Sequence, residues 1–251
     1  MLAKRIIPTL LCRGRTLVKG EKFDSWRSVG VAEQAVRIHQ AREVDELCLL
    51  DISATAENRG PDLQLVEKLA DRCFMPLSVG GGVRTVQDVR DLLLAGADKV
   101  VVGTAAYRDP NALFKMAETV GSQAIVVAID VRGKNVYVES GKAMTQTTPL
   151  RFARLAAFGG AGELLLTSID REGTMAGYDL ELISQIAGDV DIPVVANGGC
   201  GSYEHMHQAI DAGASGVAAG AFFQFTDATP QGAAQYLHGK GVEVRIKEEH
   251  A

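Results

Sequence analysis

The stretch MPLSVGGGVR at residues 75–84 returns in altered form as IPVVANGGCG at residues 192–201, 117 residues further along the chain. Each copy is an apolar run that ends in glycines. The same offset relates Glu46 to Glu163, Asp62 to Asp179, AGA at 95–97 to AGA at 212–214, and Gly103 to Gly220. Matches at this many positions and one offset indicate that the chain consists of two similar halves.

Short apolar runs alternate with amphipathic stretches along both halves. The runs predict strands at 4–11, 46–51, 75–79, 99–102, 124–130, 163–168, 192–196 and 216–219. Helical patterns lie at 31–42, 62–72, 85–94, 109–120, 149–158, 179–186, 202–211 and 229–238, with Asp109 as a cap before Pro110. Eight such units predict a (β/α)8 TIM barrel of two repeated half-barrels in a single domain, 1–251. A doubly wound open sheet is the alternative fold.

Composition excludes several classes of function. The 251 residues include 26 Lys and Arg against 31 Asp and Glu, with a net charge of −5 and 47% hydrophobic residues. This balance excludes extensive disorder and gives no basic field for DNA or RNA, although a small phosphorylated ligand is compatible with it. No apolar run approaches the roughly 20 residues of a membrane span. We therefore expect a cytoplasmic protein whose N-terminus is a strand.

Cysteine and histidine patterns give no sign of a metal site. The four cysteines form no C-x-x-C pair, so we expect free, buried thiols. His205 and His207 lie two positions apart in a predicted helix, where their side chains diverge. We predict neither a metal nor a cofactor.

Glycines mark the ends of four predicted strands, which is the functional face of a barrel. Their backbone N–H groups, together with the following helix N-termini, are suited to bind phosphate oxygens. The candidates are Gly81, Gly82, Gly103 and Thr104 in the first half and Gly198, Gly199, Gly220 and Ala221 in the second. Two related pockets suit a ligand with two phosphates, or one phosphate and a vestigial site. The alternative is that the glycines only form tight turns.

Carboxylates at the same face are the acid/base candidates. Asp130 ends the run SQAIVVAID, where partial burial at the barrel mouth raises a carboxyl pKa toward the useful range. Glu172 and Asp51 are supporting candidates, and Asp51 is expected to orient Lys19 or the loop after the first strand. That loop, about 12–30, is either a lid that includes Trp26 or an ordinary surface loop. A helix cap or salt bridge is the alternative role for Asp130.

Four charged residues begin predicted strands at the opposite end of the barrel. They are Arg5, Glu46, Lys99 and Glu163. Isolated charges there would be costly, so we expect two cations and two anions to pair in a ring across the barrel floor. The ring is either a structural plug or a gate.

Seven motifs together resemble one family. MLAKRIIPTL, DELCLLDI, PLSVGGGVR, GADKV, GSQAIVVAID, GAGELLLTSIDREGT and GYDLEL, which span most of the chain, are similar to the HisF family of cyclase subunits of imidazole glycerol phosphate synthase. The resemblance implies a barrel that receives ammonia from a glutaminase docked on its N-terminal face. It also implies that Arg5, Glu46, Lys99 and Glu163 form an ammonia gate, that Lys19 belongs to a mobile loop, that Asp130 is one of two catalytic aspartates, and that the glycines bind phosphate.

The chain departs from that family pattern at a catalytic position. Where the family has its other catalytic aspartate, at the end of the first strand, this sequence has Leu11, which has no titratable proton. IPTLL, EVDEL, CFMPL and VAAGAFF are similar to HisF-like paralogues that amidate surface-polysaccharide sugars with a glutaminase and a third amidotransferase. This resemblance implies acetamidino formation on a phosphorylated or nucleotide-linked sugar. The alternatives are a genuine cyclase of histidine biosynthesis and a non-catalytic ammonia conduit that activates the glutaminase.

Overall fold

The computed structural model describes residues 3–42 and 44–246. Within them the strands are β1 (Arg5–Arg13), β2 (Thr16–Glu21), β3 (Asp24–Val31), β4 (Leu47–Asp51), β5 (Leu77–Gly80), β6 (Lys99–Val102), β7 (Ile125–Arg132), β8 (Asn135–Val138), β9 (Ala143–Met144), β10 (Glu163–Ser168), β11 (Val194–Asn197) and β12 (Gly216–Ala219). The single domain predicted for 1–251 stays a prediction, and residues 1, 2, 43 and 247–251 lie outside the described ranges.

Eight of these strands form a closed parallel barrel. Neighbouring pairs run in the order β1, β4, β5, β6, β7, β10, β11, β12, and β12 pairs again with β1. Closure is visible in the register, because Arg5 lies opposite Gly216 and Glu163 lies opposite Val126. The predicted (β/α)8 barrel is confirmed, and the open-sheet alternative is wrong because a closed sheet has no edge at β7 or β10.

Helices follow the barrel strands, and most begin at a side-chain cap. They are α1 (Ala32–Ala41), α2 (Leu63–Ala70), α3 (Val86–Leu94), α4 (Thr104–Arg108), α5 (Pro110–Val120), α6 (Pro149–Phe158), α7 (Leu180–Ala187), α8 (Tyr203–Asp211), α9 (Ala221–Phe225) and α10 (Pro230–Gly239), with a 3₁₀ turn at Ser122–Ala124. Asp109 caps α5 by accepting from the N–H groups of Asn111 and Ala112, as the sequence predicts. Not one described helix combines the length and the apolar character needed to cross a bilayer.

Alternation along each strand separates two apolar cores. On β7, Ile125, Val127 and Ile129 pack outward beneath the helices, whereas Val126 faces the barrel axis. The axial cluster comprises Ile7, Cys48, Val101, Val126, Leu165, Val195 and Ala218. Because side chains alternate with a period of two, the same parity directs Asp130 into the barrel mouth.

A β-hairpin follows the first strand of each half-barrel, and the sequence reading missed both. β2 and β3 extend from β1, and β8 and β9 extend from β7. Each hairpin turns at a glycine with positive φ, 56° at Gly14 and 58° at Gly133. The segment expected to be a loop at about 12–30 is therefore largely strand. The short helices α4 and α9 were also missed, since five residues give too little periodicity.

Candidate active site

A cavity of about 580 Å³ opens at the carboxyl ends of the barrel strands. Its wall includes Asp51 of β4, Asp130 of β7, Thr167 of β10 and Asn197 of β11. Leu11 of β1 also lines it and is almost fully buried. The cavity therefore lies where barrel folds place their chemistry, with several polar groups converging on one space.

Asp130 has the electrostatic character of an acid/base group. It lies opposite Thr167 in the register of β7 and β10. Burial raises the pKa of Asp130 to about 7, while a hydrogen bond with Thr167 lowers it and the negative charge of Glu172 raises it further. Nδ2 of Asn197 donates to Oγ1 of Thr167 over 3.1 Å, which leaves the Thr167 proton for Asp130. Both protonation states of Asp130 are therefore populated near neutral pH.

Lys19 and Glu172 form a buried ion pair. Nζ of Lys19 lies 2.5 Å from Oε1 of Glu172, and their side chains are 3% and 8% exposed. The backbone N–H of Lys22 also donates to the carbonyl of Glu172 over 2.8 Å. These contacts hold the β2–β3 hairpin against the segment that follows β10.

Asp51 interacts with a different cation from the one expected. Its Oδ2 accepts from Arg59 over 2.6 Å, and its Oδ1 accepts from the backbone and hydroxyl of Ser53. Lys19 pairs with Glu172, so the expected orientation of Lys19 by Asp51 is not what the structure shows. Asp51 remains in the cavity wall as the anchor of the β4 loop.

The glycines of the first half line the cavity. Gly81 and Gly82 have φ values of 113° and 74°, a backbone conformation that is strained for residues with a side chain. A Cβ on Gly81 would also lie 2.3 Å from the carbonyl oxygen of Asp51. Gly103 precedes α4, which begins at Thr104 and continues as a single short turn. All four predicted residues border the cavity wall, with their backbone close to its space.

The glycines of the second half share the backbone conformation of the first set but lie outside the cavity wall. Gly198 and Gly199 also have positive φ, and Gly220 precedes α9, which begins at Ala221. All four of these residues are described, and none of them lines the cavity. The repeat therefore preserves the turns of the two halves but not their exposure to the cavity.

The four charged residues of the barrel floor form a closed ring of ion pairs. Arg5 contacts Glu46 at 2.6 Å and Glu163 at 2.9 Å, while Lys99 contacts them at 2.8 and 3.1 Å. Burial opposes ionisation of Glu46, yet Lys99 and Arg5 hold its pKa below the ordinary value, and Ser78 donates to it over 2.5 Å. The expected pairing is present, with the axial apolar cluster lying between the ring and the cavity.

Sequence reasoning missed three residues of the site. Thr167 forms hydrogen bonds with Asp130 and with Asn197, and Arg59 binds Asp51. The inward parity of β10, which places Glu163, Leu165 and Thr167 on one face, would have found Thr167. No local signal marks Arg59, because it lies in the loop after β4.

Two known proteins match this chain over nearly its whole length. Both are named imidazole glycerol phosphate synthase subunit HisF, from Chlorobium phaeobacteroides (strain BS1) and Chlorobaculum parvum (strain DSM 263 / NCIMB 8327). Each is 45% identical over 251 residues, covering 98% of this chain and 100% of the relative. The profile of the family described as "Histidine biosynthesis protein" matches residues 5–229. The chain belongs to the HisF family. This HisF-family membership confirms the resemblance drawn from the motifs.

Proposed function

We propose that this HisF-family chain is the ammonia-using subunit of a glutamine amidotransferase complex, and that it takes part in amidation of a surface-polysaccharide sugar. The reaction would convert an N-acetyl group to an acetamidino group on a phosphorylated or nucleotide-linked sugar. The observation that supports this choice is Leu11, which faces the cavity where the family resemblance implies a second catalytic aspartate. A leucine cannot exchange a proton, so the ring-closing reaction of the family would lack one of its two proton-transfer groups.

Amidation requires fewer acid/base groups from the barrel than ring closure does. A nucleoside triphosphate first activates the amide oxygen by transfer of a phosphoryl or adenylyl group. Ammonia then adds to the amide carbon, the new C–N bond replaces the C–O bond, and the oxygen leaves as the phosphate or nucleoside monophosphate. One carboxyl group can accept a proton from the attacking nitrogen and return it to the departing oxygen. Asp130, with a pKa of about 7, is available in both forms for these transfers. Activation of the oxygen would be the task of the third amidotransferase.

The floor ring and the axial cluster suit a neutral nucleophile. Arg5 and Lys99 are balanced by Glu46 and Glu163, so the ring presents no net charge. Above it, the apolar side chains around Leu165 disfavour an ammonium ion far more than ammonia. We propose that the ring is a gate whose ion pairs rearrange to admit ammonia, and the plug is the alternative.

The N-terminal face of the barrel offers a surface for the glutaminase. Phe74, Leu94 and Phe158 are 82%, 86% and 91% exposed, and each precedes a strand whose start lies at this face. Single exposed apolar side chains are ordinary on protein surfaces, but several on one face are typical of an interaction surface. Their position on the same face as the ring favours a partner that delivers ammonia at the floor.

Reconstitution tests the proposal directly. Purified chain, a HisH-like glutaminase, glutamine, the third amidotransferase and a nucleoside triphosphate would be supplied with a nucleotide-linked N-acetyl sugar, and the product would be analysed by mass spectrometry. We expect an acetamidino product that requires this chain and that forms from ammonium salt when the glutaminase is omitted. Unchanged sugar under both nitrogen sources would contradict the proposal.

A genuine cyclase of histidine biosynthesis is the second candidate. It is favoured by the 45% identity to two proteins named imidazole glycerol phosphate synthase subunit HisF, which extends over their full length. In that case another group would replace the proton carrier missing at Leu11. The two candidates differ in a measurable way, because only a genuine cyclase forms an imidazole product from the histidine-pathway ribonucleotide.

A further inference from the structure

The two hairpins at the barrel mouth each present an arginine beside an aromatic ring. The guanidinium carbon of Arg13 lies 5.4 Å from the ring centroid of Trp26, and that of Arg132 lies 5.2 Å from the centroid of Tyr137. Both arginines directly precede the turn glycine of their hairpin, so they are equivalent in the repeat. All four residues line the cavity. The mouth therefore has two cation–aromatic pairs, one from each half.

Strand alternation places these arginines above the inner part of the cavity. Arg13 follows Leu11 by two residues on β1, and Arg132 follows Asp130 by two residues on β7. Residues two apart share a face of a strand and are separated by about 6.6 Å along it. A ligand group bound by Arg132 therefore leaves room for a sugar ring between itself and the Asp130 carboxyl.

Arg132 is held in a position that suits a phosphate. Its Nη2 donates to the carbonyl oxygen of Lys22 over 3.0 Å, and its Nε lies 3.7 Å from Oδ1 of Asp170, whose side chain is 53% exposed. The remaining N–H groups of the guanidinium are available to a ligand, and a fixed planar guanidinium binds phosphate oxygens bidentately. Lys22 is exposed and also lines the cavity. Two cations thus meet at this part of the rim.

Trp26 is the aromatic ring of the β2–β3 hairpin that a ligand can reach. It is the single tryptophan of the chain and is half-buried on β3. A Cβ on Gly20 would lie 3.0 Å from Cε3 of the indole, so β2 supports one edge of the ring. Arg13, at 5.4 Å from the ring centroid, is farther away than the roughly 4 Å of close stacking. By contrast, Phe23 packs against Gly141 of the other hairpin.

An aromatic base joined to a diphosphate matches these two parts of the wall. Nucleobases stack on tryptophan rings and on guanidinium planes, because every base has a π-face. The negative charge of a diphosphate matches Arg132 and Lys22. The cavity of about 580 Å³ lies within the range that encloses ligands of this complexity. A simple sugar phosphate would leave the Trp26 face unused.

We propose that the hairpin side of the cavity binds a nucleoside diphosphate, with the base on Trp26 and Arg13 and the diphosphate at Arg132 and Lys22. A sugar joined to the distal phosphate then extends inward toward Asp130. The substrate class is therefore a nucleoside diphosphate sugar. The inference rests on the proposed function, which leaves open a phosphorylated or a nucleotide-linked sugar.

Intrinsic fluorescence of the full chain tests the inference without any activity assay, since Trp26 is the only source of tryptophan emission. Uridine diphosphate, guanosine diphosphate and inorganic diphosphate would be titrated separately. We expect saturable quenching by at least one of the two nucleotides, because a stacked base quenches indole emission, and no quenching by inorganic diphosphate. Emission that neither nucleotide changes would overturn the proposal.

Replacement of Trp26 separates base stacking from support of the hairpin. By calorimetry, Trp26→Leu should weaken binding of the quenching nucleotide by about tenfold or more and leave the affinity for inorganic diphosphate within about twofold. Phe225→Leu is the matched control, because the Phe225 ring lies 4.3 Å from the Arg27 guanidinium but outside the cavity wall. It should change neither affinity. Equal effects of Trp26→Leu on both ligands would refute stacking.

Replacement of Arg132 tests the diphosphate position. Arg132→Met should weaken binding of the nucleotide and of inorganic diphosphate alike, by about tenfold, because both lose the same charged hydrogen bonds. Arg108→Met is the control, since Arg108 pairs with Glu139 and its side chain is 62% exposed. A wild-type affinity of Arg132→Met for inorganic diphosphate would refute the assignment.

The outcomes of these experiments are separable from those of the amidation assay. Nucleotide binding at Trp26 without any acetamidino product would contradict the proposed amidation and leave the binding site standing. Amidation of a nucleotide-linked sugar by Trp26→Leu at the wild-type KM would support the amidation and overturn the binding site.

Discussion

Leu11 and Asp130 occupy equivalent positions in the two half-barrels and line the same cavity. Each lies three residues before a turn glycine with positive φ, Gly14 after Leu11 and Gly133 after Asp130. The barrel mouth therefore has one titratable group where its internal symmetry provides two equivalent places. The proposed chemistry follows from that asymmetry, because a single carboxyl must both accept and return the proton.

Replacement of Asp130 by asparagine should remove the acid/base function. Asp130→Asn is expected to lower product formation by about 10²- to 10⁴-fold with all partners present, since an amide cannot transfer the proton. Asp170→Asn is the matched control: its side chain is 53% exposed, and its output should stay near that of wild type. Undiminished output from Asp130→Asn would support the conduit alternative instead.

The raised pKa of Asp130 predicts a pH dependence of stability. The folded carboxyl titrates at about 7, against about 4 in the unfolded chain, so the folded state binds more protons between these values. Its contribution therefore favours folding at low pH and is lost as pH rises from about 4 to about 7. Urea unfolding across this range should show that decline in wild type and a flatter profile in Asp130→Asn. Parallel profiles would contradict the pKa shift.

The floor ring should affect delivery of ammonia separately from its use. Lys99→Met leaves Glu46 and Glu163 with only Arg5, and we expect about 2 kcal/mol of lost stability. If the ring is a gate, glutamine-dependent activity should change by about tenfold, whereas ammonium-dependent activity at high pH should stay near wild type. Equal loss of both activities would indicate a plug.

Arg154→Ala is a suitable control for the ring. Arg154 forms an ion pair with Asp189 on the barrel exterior, where its side chain is 63% exposed. Exposed pairs contribute little, so both activities and the free energy of unfolding should stay close to those of wild type.

The proposed glutaminase surface makes a binding prediction. Phe158→Ser should weaken the complex with the glutaminase by about tenfold, because an aromatic side chain at an interface often contributes 1 to 2 kcal/mol. Activity with ammonium salt should be unchanged. Phe114→Ser on the flank of α5, where Phe114 is 55% exposed, is the control and should bind normally. Equal affinities for the two variants would move the docking surface elsewhere.

Sequence periodicity was sufficient to predict the barrel and the face on which the candidate site lies. The eight barrel strands lie within a few residues of their predicted bounds, because alternation and glycine-terminated runs are local signals. The repeat also predicted which residues are equivalent. The floor ring could be foreseen since unpaired charges at strand starts require partners.

Contacts across long sequence separations could not be predicted in this way. Lys19 and Glu172 are 153 positions apart, and nothing near either residue indicates the other. Their pairing depends on how the β2–β3 hairpin folds, and the hairpin was itself read as a loop. The equivalence of the two sets of strand-end glycines was therefore evident from the sequence, whereas the structure was needed to show that only the first set lines the cavity.

The most direct test of the central claim is the histidine-pathway reaction. Purified wild-type chain is given ammonium salt at high pH and the ribonucleotide substrate of imidazole glycerol phosphate synthase, and the imidazole product is measured, with Leu11→Asp assayed alongside as the variant that restores the second carboxyl. The account predicts no product above background for wild type and a measurable gain for Leu11→Asp. Wild-type turnover of about 1 s⁻¹ or faster, in the range of ordinary enzymes, would contradict it.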